Sequence, residues 1–129
     1  MKYIGRIDRN KFLAITRDIT TEEVVLTDKQ IEHIKIRHPN DYELFFKYFK
    51  EIVEEPDYII KDKQPNTGLL LKEIGKETIF FQLIIRLHTS NDNINYKNSI
   101  ITFFKINRKK YNQYIRNKEI VWKNIDNLE

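Results

Sequence analysis

Apolar and polar residues alternate along the middle of the chain. The pattern begins after Pro56 and covers four stretches, which read DYIIKD, GLLLKEI, ETIFFQLIIRLH and NSIITFFKIN. A period of two residues is typical of β-strands, whose side chains point alternately to the two faces of a sheet. A short glycine-containing segment, IGKE, separates the second and third stretches and predicts a hairpin turn. We therefore predict an antiparallel meander of four strands or slightly more.

Helical patterns lie on both sides of these strands. The first, TDKQIEHIKIRH, opens with Thr27 and Gln30 as a capping box and ends before Pro39. The second, NDYELFFKYFKEIVEE, carries a wide apolar stripe and ends before Pro56. A basic third helix, RKKYNQYIRNK, follows with Asn107 as its N-cap, and EIVWK is a short last strand. This order predicts an α+β fold in which the helices pack on one face of the sheet.

Length and composition limit the classes of protein to consider. The chain has 129 residues, a common size for one domain. We predict a single domain over residues 1–129, with residues 1–26 as an irregular or short-strand lead-in. The chain has no cysteine, which excludes disulfide bonds, thiolate metal sites and cysteine nucleophiles. No apolar run reaches the roughly 20 residues of a membrane span, and we expect a cytoplasmic protein with no membrane partner.

The third predicted strand has two different faces. One is uniformly apolar and should meet the helices; it comprises Ile79, Phe81, Leu83, Ile85 and Leu87. The other is mixed and leaves room for an open cleft; it comprises Phe80, Gln82, Ile84, Arg86 and His88. In the last long strand, the apolar count favours Ile100, Thr102, Phe104 and Ile106 as the core side, which would bury Thr102.

The three histidines are His33, His38 and His88. His33 and His38 are five residues apart, about 140° around a helix, so they should not converge on one metal ion. We therefore predict no metal site. His38 points toward the sheet at the end of the first helix, whereas His33 lies near Arg37 on the outer side. An imidazole at that position can act as an acid or base near neutral pH. The alternative is a half-buried histidine that only caps the helix.

Four stretches stand in a characteristic order along roughly residues 30–123, namely IEHIKIRHPND, FKEIVEEPDYII, LLLKEI and NSIITFFKIN. Together they resemble the phage-associated nucleases of the barnase–EndoU–colicin–RelE class, which are small metal-free ribonuclease domains of phage proteins and polymorphic toxins. The resemblance implies a pair of helices leading into a four-stranded antiparallel sheet, in agreement with the periodicity. It also implies RNA, such as tRNA or mRNA, as the substrate, no cofactor, and a cognate immunity or antitoxin protein as a partner.

The resemblance further implies a histidine from the helical part, with a basic residue and a hydroxyl group from the strands. On this sequence the implied catalytic residues are His38, Lys72 and Thr102, with Ser99 as a second hydroxyl, and Arg86 adds a cation on the mixed face. A lysine in mid-strand is otherwise usually solvated or paired with a glutamate. We find no carboxylate obviously placed as a general base.

The third helix interleaves basic residues with tyrosines. This pattern is able to track an RNA backbone and stack bases, but it is equally typical of a solvated charged face above core tyrosines. The predicted substrate-binding residues are Arg37, Ser99, Lys105, Arg108, Lys109 and Tyr111.

The sequence therefore predicts a metal-independent RNA endonuclease that leaves a 2′,3′-cyclic phosphate. Attack by the ribose 2′-OH needs an acid or base and groups that stabilise the developing charge. These types of group are present as one histidine, a lysine, an arginine and a hydroxyl group. Two alternatives remain at this stage. One is a non-catalytic module that binds RNA or a protein, and the other is a phage structural or accessory domain. Convergence of His38, Lys72 and Thr102 would favour the enzyme.

Overall fold

A computed structural model describes residues 1–75 and 79–125. Within these residues, seven strands and four α-helices alternate along the chain. The strands are β1 (Lys2–Arg6), β2 (Glu23–Leu26), β3 (Tyr58–Lys61), β4 (Thr67–Ile74), β5 (Ile79–Arg86), β6 (Asn98–Ile106) and β7 (Ile120–Lys123). The helices are α1 (Asp28–Arg37), α2 (Asp41–Phe45), α3 (Phe49–Glu54) and α4 (Arg108–Asn117). The predicted α+β class is confirmed. The single helix predicted in NDYELFFKYFKEIVEE is instead divided into α2 and α3 by a short 3-10 segment, Phe46–Tyr48.

The strands form one sheet in the order β1-β2-β6-β5-β4-β3-β7. The predicted meander, β3 to β6, occupies its centre and is antiparallel throughout. The lead-in adds β1 and β2, and β2 pairs with β6 in parallel at only two positions. The turn predicted in IGKE extends into residues 76–78, which lie outside the described residues. None of the described helices has the length and apolar character needed to cross a bilayer.

The sheet has apolar side chains on both faces. On the first face, β4, β5 and β6 contribute Leu70, Phe81 and Phe103 to a core shared with α1, α2 and α3. On the second face, Leu69, Leu71 and Phe80 pack with Tyr111 of α4. The prediction that all helices lie on one face is therefore wrong for α4. Because β4 is apolar on both sides, its second face also needs a cover, and α4 supplies it.

The two faces of β5 match the prediction. Phe81, Leu83 and Ile85 are fully buried in the first core, whereas Gln82 and Ile84 lie on the second face. Gln82 is buried at 4% exposure, and it lines a cavity on the second face.

The faces of β6 differ from the prediction because the strand contains a β-bulge. Ile84 of β5 lies opposite Thr102, whereas the next residue, Ile85, lies opposite Ile100, so Ile101 is an extra residue in β6. The bulge reverses the alternation. Ile100 and Phe103 therefore enter the first core, while Thr102 turns to the second face and stays partly exposed.

Helix α1 lies along the edge of β6, beyond the point where β2 ends. Its N-cap is Thr27, whose hydroxyl accepts a hydrogen bond from the Gln30 backbone N–H at 3.2 Å. Ile34 is buried in the first core, whereas the His38 ring reaches Phe104 on the second face. Side chains of α1 and of its C-cap residue, His38, therefore reach both faces of the sheet. Since a helix can occupy this edge only where β2 is short, the parallel β2–β6 pairing positions the site.

Candidate functional site

A cavity of about 400 Å³ opens on the second face between α1 and the strands β5 and β6. Its lining consists of Lys29, Gln30, His33, Arg37 and His38 from the α1 region, Gln82 and Ile84 from β5, and Ile101, Thr102 and Phe104 from β6. The volume is in the range of small-molecule sites. The lining includes four cationic or cation-capable side chains and no carboxylate, so this surface suits an anionic ligand.

His38 is held firmly at the end of α1. Its backbone N–H donates to the Ile34 carbonyl at 2.8 Å, and its φ of −132° ends the helix before Pro39. The imidazole stacks on the Phe104 ring with 4.3 Å between centroids and 21° between planes. One face of the ring is therefore packed, while the half-buried side chain still lines the cavity.

His33 is exposed near Arg37, in agreement with the prediction, and it also lines this cavity. It belongs to a stripe of basic residues four positions apart, Lys29, His33 and Arg37, which all line the cavity. Residues four apart share one side of a helix. The sequence does not connect this outer side of α1 with the site, because α1 sits at the sheet edge and presents this flank to the cavity. The four-residue spacing is the sequence signal that could have revealed the stripe.

The floor of the cavity carries a hydroxyl and an amide. Thr102 is exposed there by the bulge in β6. The Gln82 carbonyl oxygen accepts a hydrogen bond from the Tyr114 hydroxyl at 2.7 Å. Burial raises the pKa of Tyr114, so the phenol remains a donor at neutral pH. This contact fixes the Gln82 side chain in the floor of the cavity.

The residues that line this cavity fall within a stretch matched by a known family. The model of the phage-Barnase-EndoU-ColicinE5/D-RelE like nuclease2 family covers residues 1–123. The chain belongs to this family. No curated protein and no solved structure matches the chain. The resemblance inferred from the four ordered stretches is thus confirmed, and the match extends through the lead-in as well.

The structure of this nuclease2 family member does not bring the implied residues His38, Lys72 and Thr102 together. Lys72 lies on the first face, opposite Phe81 in the strand register. Its ammonium group is 3.4 Å from the Asp57 carboxylate and 3.7 Å from the Glu51 carboxylate, and only 10% of its side chain is exposed. The sheet itself separates Lys72 from the cavity. In place of Lys72, the cavity contains Lys29, whose position in the fold the strand pattern does not reveal.

Arg86 lies on the same face as Thr102, at the far end of β5. Ile84 and Ile101 lie between it and His38, because they line both the candidate cavity and an adjoining one that reaches Arg86. The guanidinium donates to Asp92 at 3.0 Å and to the Leu87 carbonyl. The Thr89 backbone N–H and the Arg86 charge hold the pKa of Asp92 below its usual range. Arg86 is thus a fixed cation next to the cavity, and Ser99, its register partner, lines a further cavity with it.

The remaining predicted substrate-binding residues are dispersed. Arg37 lines the cavity. Lys105 lies opposite Phe81 and therefore on the first-face side, away from the cavity. Arg108 and Lys109 are exposed in the first turn of α4, where the Arg108 guanidinium lies 4.9 Å from the Phe80 ring centroid.

Tyr111 does not match its predicted role in stacking bases. It is buried in the second core, and its ring packs against Phe80 at 4.7 Å and Tyr58 at 6.0 Å. Burial raises the pKa of its hydroxyl. The alternative reading of this helix, a charged face above core tyrosines, describes Tyr111 correctly.

His88 is a structural histidine. Its Nε2 donates to the Asn93 carbonyl at 2.7 Å, and its Nδ1 is hydrogen-bonded to the Thr20 hydroxyl. The side chain is buried, and both ring nitrogens are occupied by protein partners. Among the described residues, no three histidine or acidic side chains are grouped so as to hold a metal ion.

Proposed function

We propose that this nuclease family member is an endoribonuclease that cleaves RNA through its own 2′-OH group. The 2′-oxygen attacks the adjacent phosphorus, the bond from phosphorus to the 5′-oxygen breaks, and the products are a 2′,3′-cyclic phosphate and a free 5′-hydroxyl. The observation that carries the proposal is one cavity that holds two imidazoles, a lysine, an arginine, a hydroxyl and two amides. Membership of the nuclease family supports the same reaction class.

His33 and His38 supply the proton transfers in this proposal. One imidazole takes the proton of the 2′-OH, and the other gives a proton to the departing 5′-oxygen, so the reaction is balanced without a carboxylate. General acid–base help of this kind contributes about 10²–10⁴-fold. The stack on Phe104 fixes the plane of the His38 ring. The ring nitrogens therefore keep a constant orientation toward the substrate.

The cations and neutral donors of the cavity stabilise the charge that develops on phosphorus. Lys29 and Arg37 stand on the α1 wall, and Thr102 and Gln82 form the floor. Donors positioned before the reaction stabilise a transition state without reorganisation. These groups stabilise the negative charge that a metal ion neutralises in other nucleases. We therefore propose a metal-independent reaction.

The experiment incubates the purified protein with 5′-labelled RNA in EDTA and identifies the product ends. We expect cleavage in EDTA, a terminus that acid converts to a 2′- or 3′-monophosphate, and no cleavage of the matching all-2′-deoxy strand. Binding of RNA without cleavage across a panel of RNAs would instead identify a non-catalytic RNA-binding module. Loss of cleavage in EDTA with recovery on adding a divalent cation would overturn metal independence.

Replacing Thr102 with valine tests the floor of the cavity. Valine keeps the shape of threonine but lacks the hydroxyl, so one donor to a phosphate oxygen is lost. We expect kcat/KM to fall about tenfold to a hundredfold, the value of a hydrogen bond to a charged group. The urea midpoint should stay within error of the wild type, because Thr102 is partly exposed. Unchanged kcat/KM would remove Thr102 from the site.

A partner that inhibits this enzyme would need acidic side chains. The α1 wall presents Lys29, His33 and Arg37 to solvent, and complementary charge accelerates and orients association. We propose that the cognate immunity or antitoxin protein covers the cavity with carboxylates. A competing inhibitor of this kind should lose affinity steeply as salt increases.

A further inference from the structure

We infer that a second cavity, beside Tyr96, binds a nucleobase of the RNA at some distance from the cleaved bond. The inference rests on the proposed ribonuclease function and adds a subsite to it. The cavity has a volume of about 320 Å³, and its lining includes Val25, Arg86, Leu87, Tyr96 and Ser99. The accessible surface of the cavity is mainly apolar, although polar and charged residues such as Arg86, His88, Asp92 and Lys97 also line it. A mainly apolar surface with several polar groups suits a flat, uncharged ring with hydrogen-bonding edges.

The second cavity connects to the candidate active site along the second face. An intermediate cavity shares Arg86 with it and shares Ile84 and Ile101 with the cavity of His38. A strand advances about 3.3 Å per residue, so Arg86 lies about 13 Å along β5 from Gln82. That span is too long for a single nucleotide and is suited to a short stretch of chain. The groove therefore fits a polymer better than a mononucleotide.

Tyr96 is an exposed aromatic residue on a well-anchored loop. Tyr96 is 67% exposed, and its backbone N–H donates to the Asn93 carbonyl at 2.9 Å. The same carbonyl accepts from the buried His88 ring at 2.7 Å. Asp92, in the same loop, accepts from the Thr89 backbone N–H at 2.8 Å and from Arg86. A ring that is solvent-exposed on a fixed backbone loses little conformational freedom when a base stacks on it.

The charges around the second cavity are already neutralised within the protein. Lys97 forms an ion pair with Glu23, and Arg86 forms one with Asp92. A phosphate would have to compete with these carboxylates, whereas an uncharged base would not. The cavity is therefore assigned to a base, and Arg86 lies at the junction of the cavities. Recognition by stacking implies little selectivity among the bases.

The test compares a dinucleotide substrate with a hexanucleotide substrate of the full-length protein. In Tyr96→Ala, we expect kcat/KM for the hexanucleotide to fall about tenfold to a hundredfold, as for loss of a base stack. The dinucleotide is too short to reach the second cavity, so its kcat/KM should be unchanged. Tyr96→Phe and Tyr96→Trp keep a flat ring and should retain most activity. Ile94→Ala is the matched control, because Ile94 is 91% exposed on the same loop and does not line this cavity.

Binding of a 2′-O-methyl hexanucleotide, followed by fluorescence anisotropy, separates this subsite from the proposed reaction. Weaker binding to Tyr96→Ala together with no cleavage by the wild type would support the subsite and overturn the ribonuclease proposal. Equal hexanucleotide kcat/KM and equal binding in Tyr96→Ala and the wild type would overturn the subsite. An equal loss of activity on the dinucleotide and the hexanucleotide would also overturn it, because the effect would then lie at the active site.

Discussion

His38→Ala is expected to lower kcat for RNA cleavage by about 10²–10⁴-fold, the usual contribution of one general acid or base. The His38 ring is the cavity imidazole that the structure orients most tightly, through its stack on Phe104 at 4.3 Å. Its removal takes away one of the two proton-transfer groups of the proposed reaction. The measurement is kcat on a labelled RNA with saturating substrate, in EDTA.

The matched control for His38→Ala is Lys35→Ala. Lys35 lies on the same helix, pairs with Glu43 at 3.2 Å and does not line the cavity. Exposed ion pairs are worth little, so Lys35→Ala should cleave RNA like the wild type. Both variants should keep the wild-type circular dichroism spectrum. Equal cleavage by His38→Ala and Lys35→Ala would place the chemistry elsewhere in the protein.

Asp57→Ala is expected to lower the free energy of unfolding by about 3–5 kcal/mol, the cost of breaking a buried ion pair from one side. The Asp57 side chain is 5% exposed, and its carboxylate lies 3.4 Å from the Lys72 ammonium. It also accepts the Glu73 backbone N–H at 2.7 Å. Without Asp57, the nearly buried Lys72 ammonium group still pairs with the Glu51 carboxylate. This pairing is weaker, because the Glu51 side chain is 46% exposed. The measurement is equilibrium unfolding in urea at neutral pH.

Two further variants complete this test. Glu51→Ala removes the exposed partner of Lys72 and should cost less than about 1 kcal/mol. Asp57→Asn combined with Lys72→Met removes both buried charges and should recover much of the stability lost in Asp57→Ala. This double variant should also still cleave RNA, because Lys72 lies on the face away from the cavity. Loss of cleavage in a folded double variant would restore Lys72 to the catalytic set.

Several parts of the fold follow from the sequence because they depend on local properties. The residues of α1, its Thr27 cap and its end before Pro39 agree with the prediction. So do the four central strands and α4 with its Asn107 cap. Caps, proline and the two periodicities act within a few residues of the chain. The apolar face of β5 is predicted for the same reason, because alternation assigns each residue to a face.

Local sequence patterns predict only some of the residues of the candidate site. His38 and Arg37 were predicted and line the cavity, as does Thr102, although the strand pattern assigned Thr102 to the core. His33 and Lys29 were missed, although their spacing with Arg37 places all three on one side of α1. The family resemblance implies Lys72, but its neighbours Asp57 and Glu51 come from other parts of the chain. Residue type and local spacing do not report such partners.

The sequence by itself determined α1, α4, the four central strands and the apolar side of β5, because these depend on neighbouring residues. Only the tertiary structure decided where the polar groups meet. The bulge in β6 turned Thr102 outward, the short β2–β6 pairing left an edge for α1, and α4 covered the second face. Each of these depends on contacts between segments that are distant in the chain. The residue pattern of a single strand or helix does not predict such contacts.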